Sequence, residues 1–135
     1  MTTKISTTFL TVFFGLLLSF GLSAQSAEPV QTESPAKVAV YYFHFNSRCA
    51  TCKAVESETQ KDVKELFGND VSFASQNLDE AAGEALGKEL GVNSQTLIAV
   101  KDDKIINLTN DAFMYARTKP EKFKKILEEK IKPLL

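Results

Sequence analysis

Residues 38–45 read VAVYYFHF, a run whose only strongly polar side chain is His44, and after Asn46, Ser47 and Arg48 come the chain's two cysteines, Cys49 and Cys52. A run with no polar alternation suits a strand covered on both faces, as in a parallel sheet, and predicts the central strand of the fold. After it, apolar or small side chains recur at Cys52, Val55, Thr59, Val63, Leu66 and Phe67 before Gly68. That spacing is close to 3.6 residues and predicts a helix that starts with Cys49 at its N-terminal edge and stops at the glycine.

The remaining chain continues the alternation. Residues 71–78, bounded by Gly68 and Asp79, read as a second strand. Asp79 is placed to cap a helix reaching Leu90, with Ala82, Ala85, Leu86 and Leu90 inward and Gly91 closing it. Two β-prone runs, 96–100 and 104–108, joined by Lys101, Asp102 and Asp103, predict a hairpin. Thr118, Lys119, Pro120 and Glu121 have the form of a capping box, and Phe123, Ile126, Leu127 and Ile131 then make an apolar stripe up to Pro133. The order β-α-β-α-β-β-α is that of an α/β fold. Its βαβ unit requires a right-handed crossover, and its hairpin completes a mixed four-stranded sheet. Asn110, Ala112, Phe113, Met114, Tyr115 and Arg117 form an insertion before the last helix, either packed into the core as a short helix or presented as an aromatic docking patch.

At 135 residues the chain has room for one core, and 44% hydrophobic with 24% charged residues is an ordinary globular composition. Sixteen Lys and Arg against 17 Asp and Glu leave no basic field to draw a phosphate backbone, so nucleic acid is not an expected partner. Two cysteines cannot build a four-thiolate zinc site. No resident metal or cofactor is expected, and the expected state is a monomer.

Lys4 precedes an uncharged stretch, 5–27, rich in Phe and Leu and ending in Ser23, Ala24, Ser26 and Ala27. This is the pattern of a secretory signal peptide over 1–24, with an uncleaved membrane anchor as the alternative. Residues 25–36, with Pro29 and Pro35, read as a polar tether, and 37–135 as the domain. Both readings place the domain in the periplasm or otherwise outside the cytoplasm, where a close cysteine pair meets oxidising conditions.

The strings YYFHFNSRCATCK, QNLDE and GVNSQTLIAVKDDKI together resemble the thioredoxin superfamily over residues 37–132. The chain also resembles a small group of exported bacterial thioredoxin-like proteins that share a YFH…RC-x-TC-K pattern. The resemblance implies a thioredoxin-like core of glutaredoxin size. It further implies thiol–disulfide exchange with protein or small-molecule thiols and disulfides, including a membrane or periplasmic redox partner. Three positions depart from the family. Arg48 stands where a tryptophan usually precedes the first cysteine, Phe43 where a buried acid is usual, and Gln95 where a proline is held in cis opposite the cysteines. A cis bond at a non-proline residue costs ~2.5–4 kcal/mol, so the loop over 92–96 is expected to be trans, with Gln95 and Thr96 facing substrate.

Thiolates rather than thiols attack disulfides, so one cysteine must be shifted down from the usual value of about 8.5. A helix N-terminus offers Cys49 partial positive charge and free N–H groups, and Arg48 adds a permanent cation. Cys49 is the expected nucleophile and Cys52, one turn inside, the buried resolving thiol. His44 either supports the Cys49 thiolate as an imidazolium or proton relay, or simply packs on its strand. Lys53 and Glu56 are charged neighbours. Beside the oxidoreductase stand two other readings: a non-enzymatic module binding copper(I) or arsenite through both thiolates, and a permanent disulfide, whose short loop would restrain few residues.

Overall fold

The computed structural model describes residues 36–135, so the expected signal segment and the tether up to residue 35 lie outside the described residues. Strand β1 (Val38–His44) pairs in parallel with β2 (Val71–Asn77) on one edge and antiparallel with β3 (Thr96–Lys101) on the other. β3 turns through Asp102, at φ 50°, into β4 (Lys104–Asn107). The sheet order is β2-β1-β3-β4, the expected mixed four-stranded sheet with the apolar run inside it.

Both faces of β1 are covered. Val38, Val40 and Tyr42 enter a core shared with Val55 and Val63 of helix α1 (Ala50–Phe67) and with Phe123, Leu127 and Ile131 of helix α4 (Pro120–Ile131). Phe43 is equally buried but points the other way, toward helix α2 (Ala81–Glu89). The period-two alternation of a strand thus sends an aromatic side chain into each layer, which is why the run shows no alternating polar positions. α1 ends at Gly68, whose φ of 55° is the left-handed conformation glycine adopts without a Cβ penalty.

α2 departs from the expected packing. Its buried residues are Gly83 and Gly87, while Ala82 and Ala85 are exposed and Leu86 and Leu90 half-buried. A Cβ at Gly83 would stand 2.0 Å from the Asn77 carbonyl oxygen, and one at Gly87 would stand 2.7 Å from the Val92 carbonyl oxygen. The helix therefore lies close against backbone at both glycines, with the Leu78 and Phe43 side chains also against Gly87, and the two glycines form its inward face. Asp79 does not cap it either. Glu80 holds that position without a side-chain cap, because the Asp79 carboxylate is engaged elsewhere. Gly91, at φ 70°, closes the helix as expected.

The capping box before α4 also does not form. Lys119 is the N-cap, and the Thr118 hydroxyl instead donates to the Met114 carbonyl at 2.9 Å. Thr118 is drawn backward because the insertion is itself a helix, α3 (Thr109–Tyr115), ending just upstream. Leu108, Ala112 and Ala116 are buried against the core, with Phe113 and Tyr115 partly so. Only Met114 of this segment is a strongly exposed apolar residue, so the aromatics serve packing. Among the described residues no helix is long and apolar enough to cross a membrane.

One buried charge interrupts the α1 surface that meets α4. Asp62 is 1% exposed, and neither carboxylate oxygen has a hydrogen-bond partner among the described residues; Lys61 Nζ lies 3.8 Å from Oδ1. Burial pushes this carboxyl above its ordinary 3.8, with the Lys61 ammonium pulling it back and Glu58 pushing it up again. A carboxyl raised in the folded state costs nothing where both states are protonated and weakens folding as pH rises through the folded value. Asp62→Asn is therefore expected to be more stable than the parent at pH 7 by on the order of 1 kcal/mol, the difference vanishing near pH 3, as measured by urea unfolding at both pH values. In α2, Gly83→Ala should cost about 3 kcal/mol or prevent folding, whereas exposed Ala82→Gly should cost about 1 kcal/mol in the same assay.

Candidate functional site

Cys49 is the N-cap of α1. Its backbone is extended, with φ −80° and ψ 167°, and its Sγ accepts the backbone N–H of Cys52 at 3.1 Å. This is side-chain capping with sulfur in place of oxygen, and it aims an otherwise unpartnered helix N–H at the sulfur. Cys49 is exposed and Cys52 only 2% exposed. The two form a disulfide with their Cα atoms 5.1 Å apart. Solvent therefore reaches one sulfur, and that sulfur receives the field of the helix end.

The loop before Cys49 is tied down on its far side. Leu78 N–H donates to the His44 carbonyl at 2.7 Å, Asn46 N–H to Asp79 Oδ2 at 2.6 Å, and Asn77 Nδ2 to Asn46 Oδ1 at 2.8 Å. Asn77 Oδ1 accepts from Asp79 N–H at 3.1 Å, and its amide also reaches Glu80 Oε1. The β1–α1 and β2–α2 loops thus share one polar network at the end of the sheet. Sequence reasoning missed Asn46, Asn77 and Asp79 in this role. The available signal was the cluster of Asn and Asp after two strand ends, residues that bond neighbouring backbone in turns.

Arg48 does not offer Cys49 a free cation. Its guanidinium pairs with the Glu56 carboxylate, both side chains being mostly buried, and its Nε is buried with no hydrogen-bond partner among the described residues. The Tyr42 hydroxyl is also buried with no hydrogen-bond partner among the described residues; burial pushes this phenol up, and the Arg48 charge pulls it back. His44 stacks on Tyr42 with ring centroids 5.9 Å apart, and its Nδ1 lies 3.0 Å from the Phe45 carbonyl. A carbonyl only accepts, so Nδ1 is the donor in this contact.

Across the site, Thr96 pairs with Phe43, which sets the preceding residue beside the cysteines. Gln95 Oε1 is 3.4 Å from Cys52 Sγ. No peptide bond among the described residues is cis, in keeping with the trans loop expected at 92–96. The Thr96 hydroxyl turns back to the Ser94 carbonyl at 2.9 Å, and the Lys53 side chain is exposed on α1. Phe43, at the position of the missing acid, places its ring toward Gly87 and supplies no proton acceptor.

No protein-family model and no curated protein matches the chain. Among solved structures, the crystal structure of Trxlp from Edwardsiella tarda EIB202 is 18% identical, over 70% of this chain and 85% of that one, with a TM-score of 0.50. The fold is thioredoxin-like. The thioredoxin of Fasciola hepatica is also 18% identical, over 76% of this chain and 85% of that one, with a TM-score of 0.49. Thioredoxin f2 of Chlamydomonas reinhardtii is 19% identical, over 72% and 82%, at 0.48. In this thioredoxin-like fold the cysteine pair occupies the junction of the inner strand and the first helix, where it was expected.

Pairing with Glu56 largely offsets the Arg48 charge, so the carboxylate sets how much of it reaches Cys49. Glu56→Gln should speed iodoacetamide alkylation of reduced Cys49 at pH 7 by about threefold, and Arg48→Ala, which leaves Glu56 unpaired, should slow it by a similar factor.

Proposed function

We propose that the chain is an exported thiol–disulfide oxidoreductase that works as a monomer through Cys49 and Cys52. The observation that carries this reading is the division between the two sulfurs: Cys49 is exposed and receives the Cys52 N–H at 3.1 Å, while Cys52 is buried behind it. A sulfur that accepts a helix N–H is better stabilised as the thiolate, which is the form that attacks. The exported location rests on the apolar N-terminal segment and its small-residue end, and the partners are protein or small-molecule thiols and disulfides.

In the reducing direction, the Cys49 thiolate attacks one sulfur of a partner disulfide. A mixed disulfide forms and the other partner sulfur leaves as thiolate. Cys52 then attacks Cys49 Sγ, the bond to the partner breaks, and the proton of Cys52 ends on the departing sulfur. Two electrons have passed from the protein dithiol to the partner, and the Cys49–Cys52 disulfide is left. The oxidising direction is the same sequence reversed. Arg48, held by Glu56, and the loop network keep Cys49 at the helix end throughout.

Removing the resolving thiol stops the sequence at the mixed disulfide. Purified Cys52→Ser protein should trap a partner released by dithiothreitol, while Cys49→Ser should trap none. If Cys52→Ser traps nothing and the parent pair never cycles between dithiol and disulfide, the protein is not an oxidoreductase.

A further inference from the structure

The buried sulfur of the pair touches one polar side-chain atom from another element: Gln95 Oε1, at 3.4 Å from Cys52 Sγ. Gln95 is half-buried, and it is fixed there because the next residue, Thr96, is the first of β3 and pairs with Phe43 on β1. A carbonyl oxygen is an acceptor, so the contact is a hydrogen bond only when Cys52 carries a proton. It carries one in the dithiol and in the mixed disulfide with a partner. In the Cys49–Cys52 disulfide it does not, and two sets of lone pairs face each other. An amide turned to present Nε2–H would meet a disulfide sulfur, a weak acceptor, and would recover less.

We propose that Gln95 tunes the redox balance of the pair: its side-chain carbonyl accepts a hydrogen bond from the Cys52 thiol that the disulfide cannot make, and so favours the reduced state. This deepens the oxidoreductase reading and rests on it. The bond lowers the free energy of the dithiol relative to the disulfide, which makes the protein a stronger oxidant than the same fold without it. It also assigns the thiol proton. Unlike a carboxylate, the amide cannot remove that proton, and with Phe43 in the second possible position the proton leaves only with the departing sulfur or to solvent. Gln95 therefore holds Cys52 as a thiol until a partner has bound.

The test measures two quantities on the full chain. The first is the equilibrium constant for reduction by glutathione in the parent, Gln95→Met and Gln95→Glu. Methionine keeps the length and removes the acceptor; glutamate keeps the acceptor. A net hydrogen bond from the weak S–H donor predicts about a threefold fall in the reduction constant for Gln95→Met, or about 14 mV toward a more reducing potential, with Gln95→Glu at or above the parent. The second is the pH midpoint of Cys52 thiolate absorbance in the Cys49→Ser background, which should move to lower pH when Gln95→Met is added. Gln95→Ala, a smaller side chain, should repeat both effects. A Gln95→Met constant equal to or above the parent's, or an unmoved thiolate midpoint, overturns the proposal. The absorbance titration needs no redox cycle. A pair that never equilibrates with glutathione while the midpoint still moves would sink the oxidoreductase reading and leave the hydrogen bond standing.

Discussion

The position of β1 inside the sheet governs nearly everything else in this molecule. Because it pairs on both edges and is buried on both faces, its register against β2 and β3 is settled by apolar packing: a one-residue slip would move Tyr42 and Phe43 into each other's layers. A strand held that firmly has a defined end. The chain leaves it at His44, and only five residues, 45–49, separate that end from the first residue of α1. The start of the helix, and with it the sulfur of Cys49, is therefore placed by the core rather than by contacts at the site.

The second layer of control is polar and lies on the other side of the loop. Asn46 bonds through its backbone to Asp79 and through its side chain to Asn77, so the segment entering α1 is braced against the segment entering α2. That bracing explains the glycines of α2. The helix must lie close enough for its preceding loop to reach Asn46, and Gly83 meets the Asn77 backbone with no room for a side chain. Close approach of a helix to backbone is a use of glycine that outweighs its poor helix propensity. The loop network and the glycine face are two consequences of one short distance.

This also shows which parts of the fold were legible in the residues and which were not. The strands, the first helix and its end at Gly68, the hairpin and the placement of both cysteines follow from periodicity and from breakers, which are local signals. The inward face of α2 differs from the apolar periodicity, which points to Ala82 and Ala85, because a helix packed closely on backbone presents the residues with no side chain. Capping by Asp79 and Thr118 fails for a related reason: each side chain has the right chemistry for a cap but another partner, Asn46 across the fold for Asp79 and the Met114 carbonyl four residues back for Thr118. Arg48 looked like a free cation because its partner, Glu56, comes two turns later on the helix. Buried Asp62 left no mark at all, since the helical period gives it to the face of α1 that α4 happens to cover.

The same tertiary pairings set the surroundings of the cysteine pair. A cysteine pair at a helix end is driven toward thiolate by the helix field, and the neighbouring side chains decide how far. Here they are moderating. Glu56 offsets Arg48 beside Cys49, the His44 ring turns its Nδ1–H toward the Phe45 carbonyl, and a neutral amide faces Cys52. The contacts given to the sulfurs come from the Cys52 N–H and the Gln95 amide, and the Glu56 carboxylate is on Arg48. In the proposed exchange a site built this way separates its two tasks: the field of the helix end activates the exposed sulfur, and the buried sulfur keeps its proton until the mixed disulfide provides a leaving group to receive it. In that proposed exchange the timing of resolution is set by the partner's own thiol, because a more acidic leaving group departs faster. On the proposed reading, selectivity among partners arises from their chemistry at the sulfur as well as from the shape of the surface around Cys49.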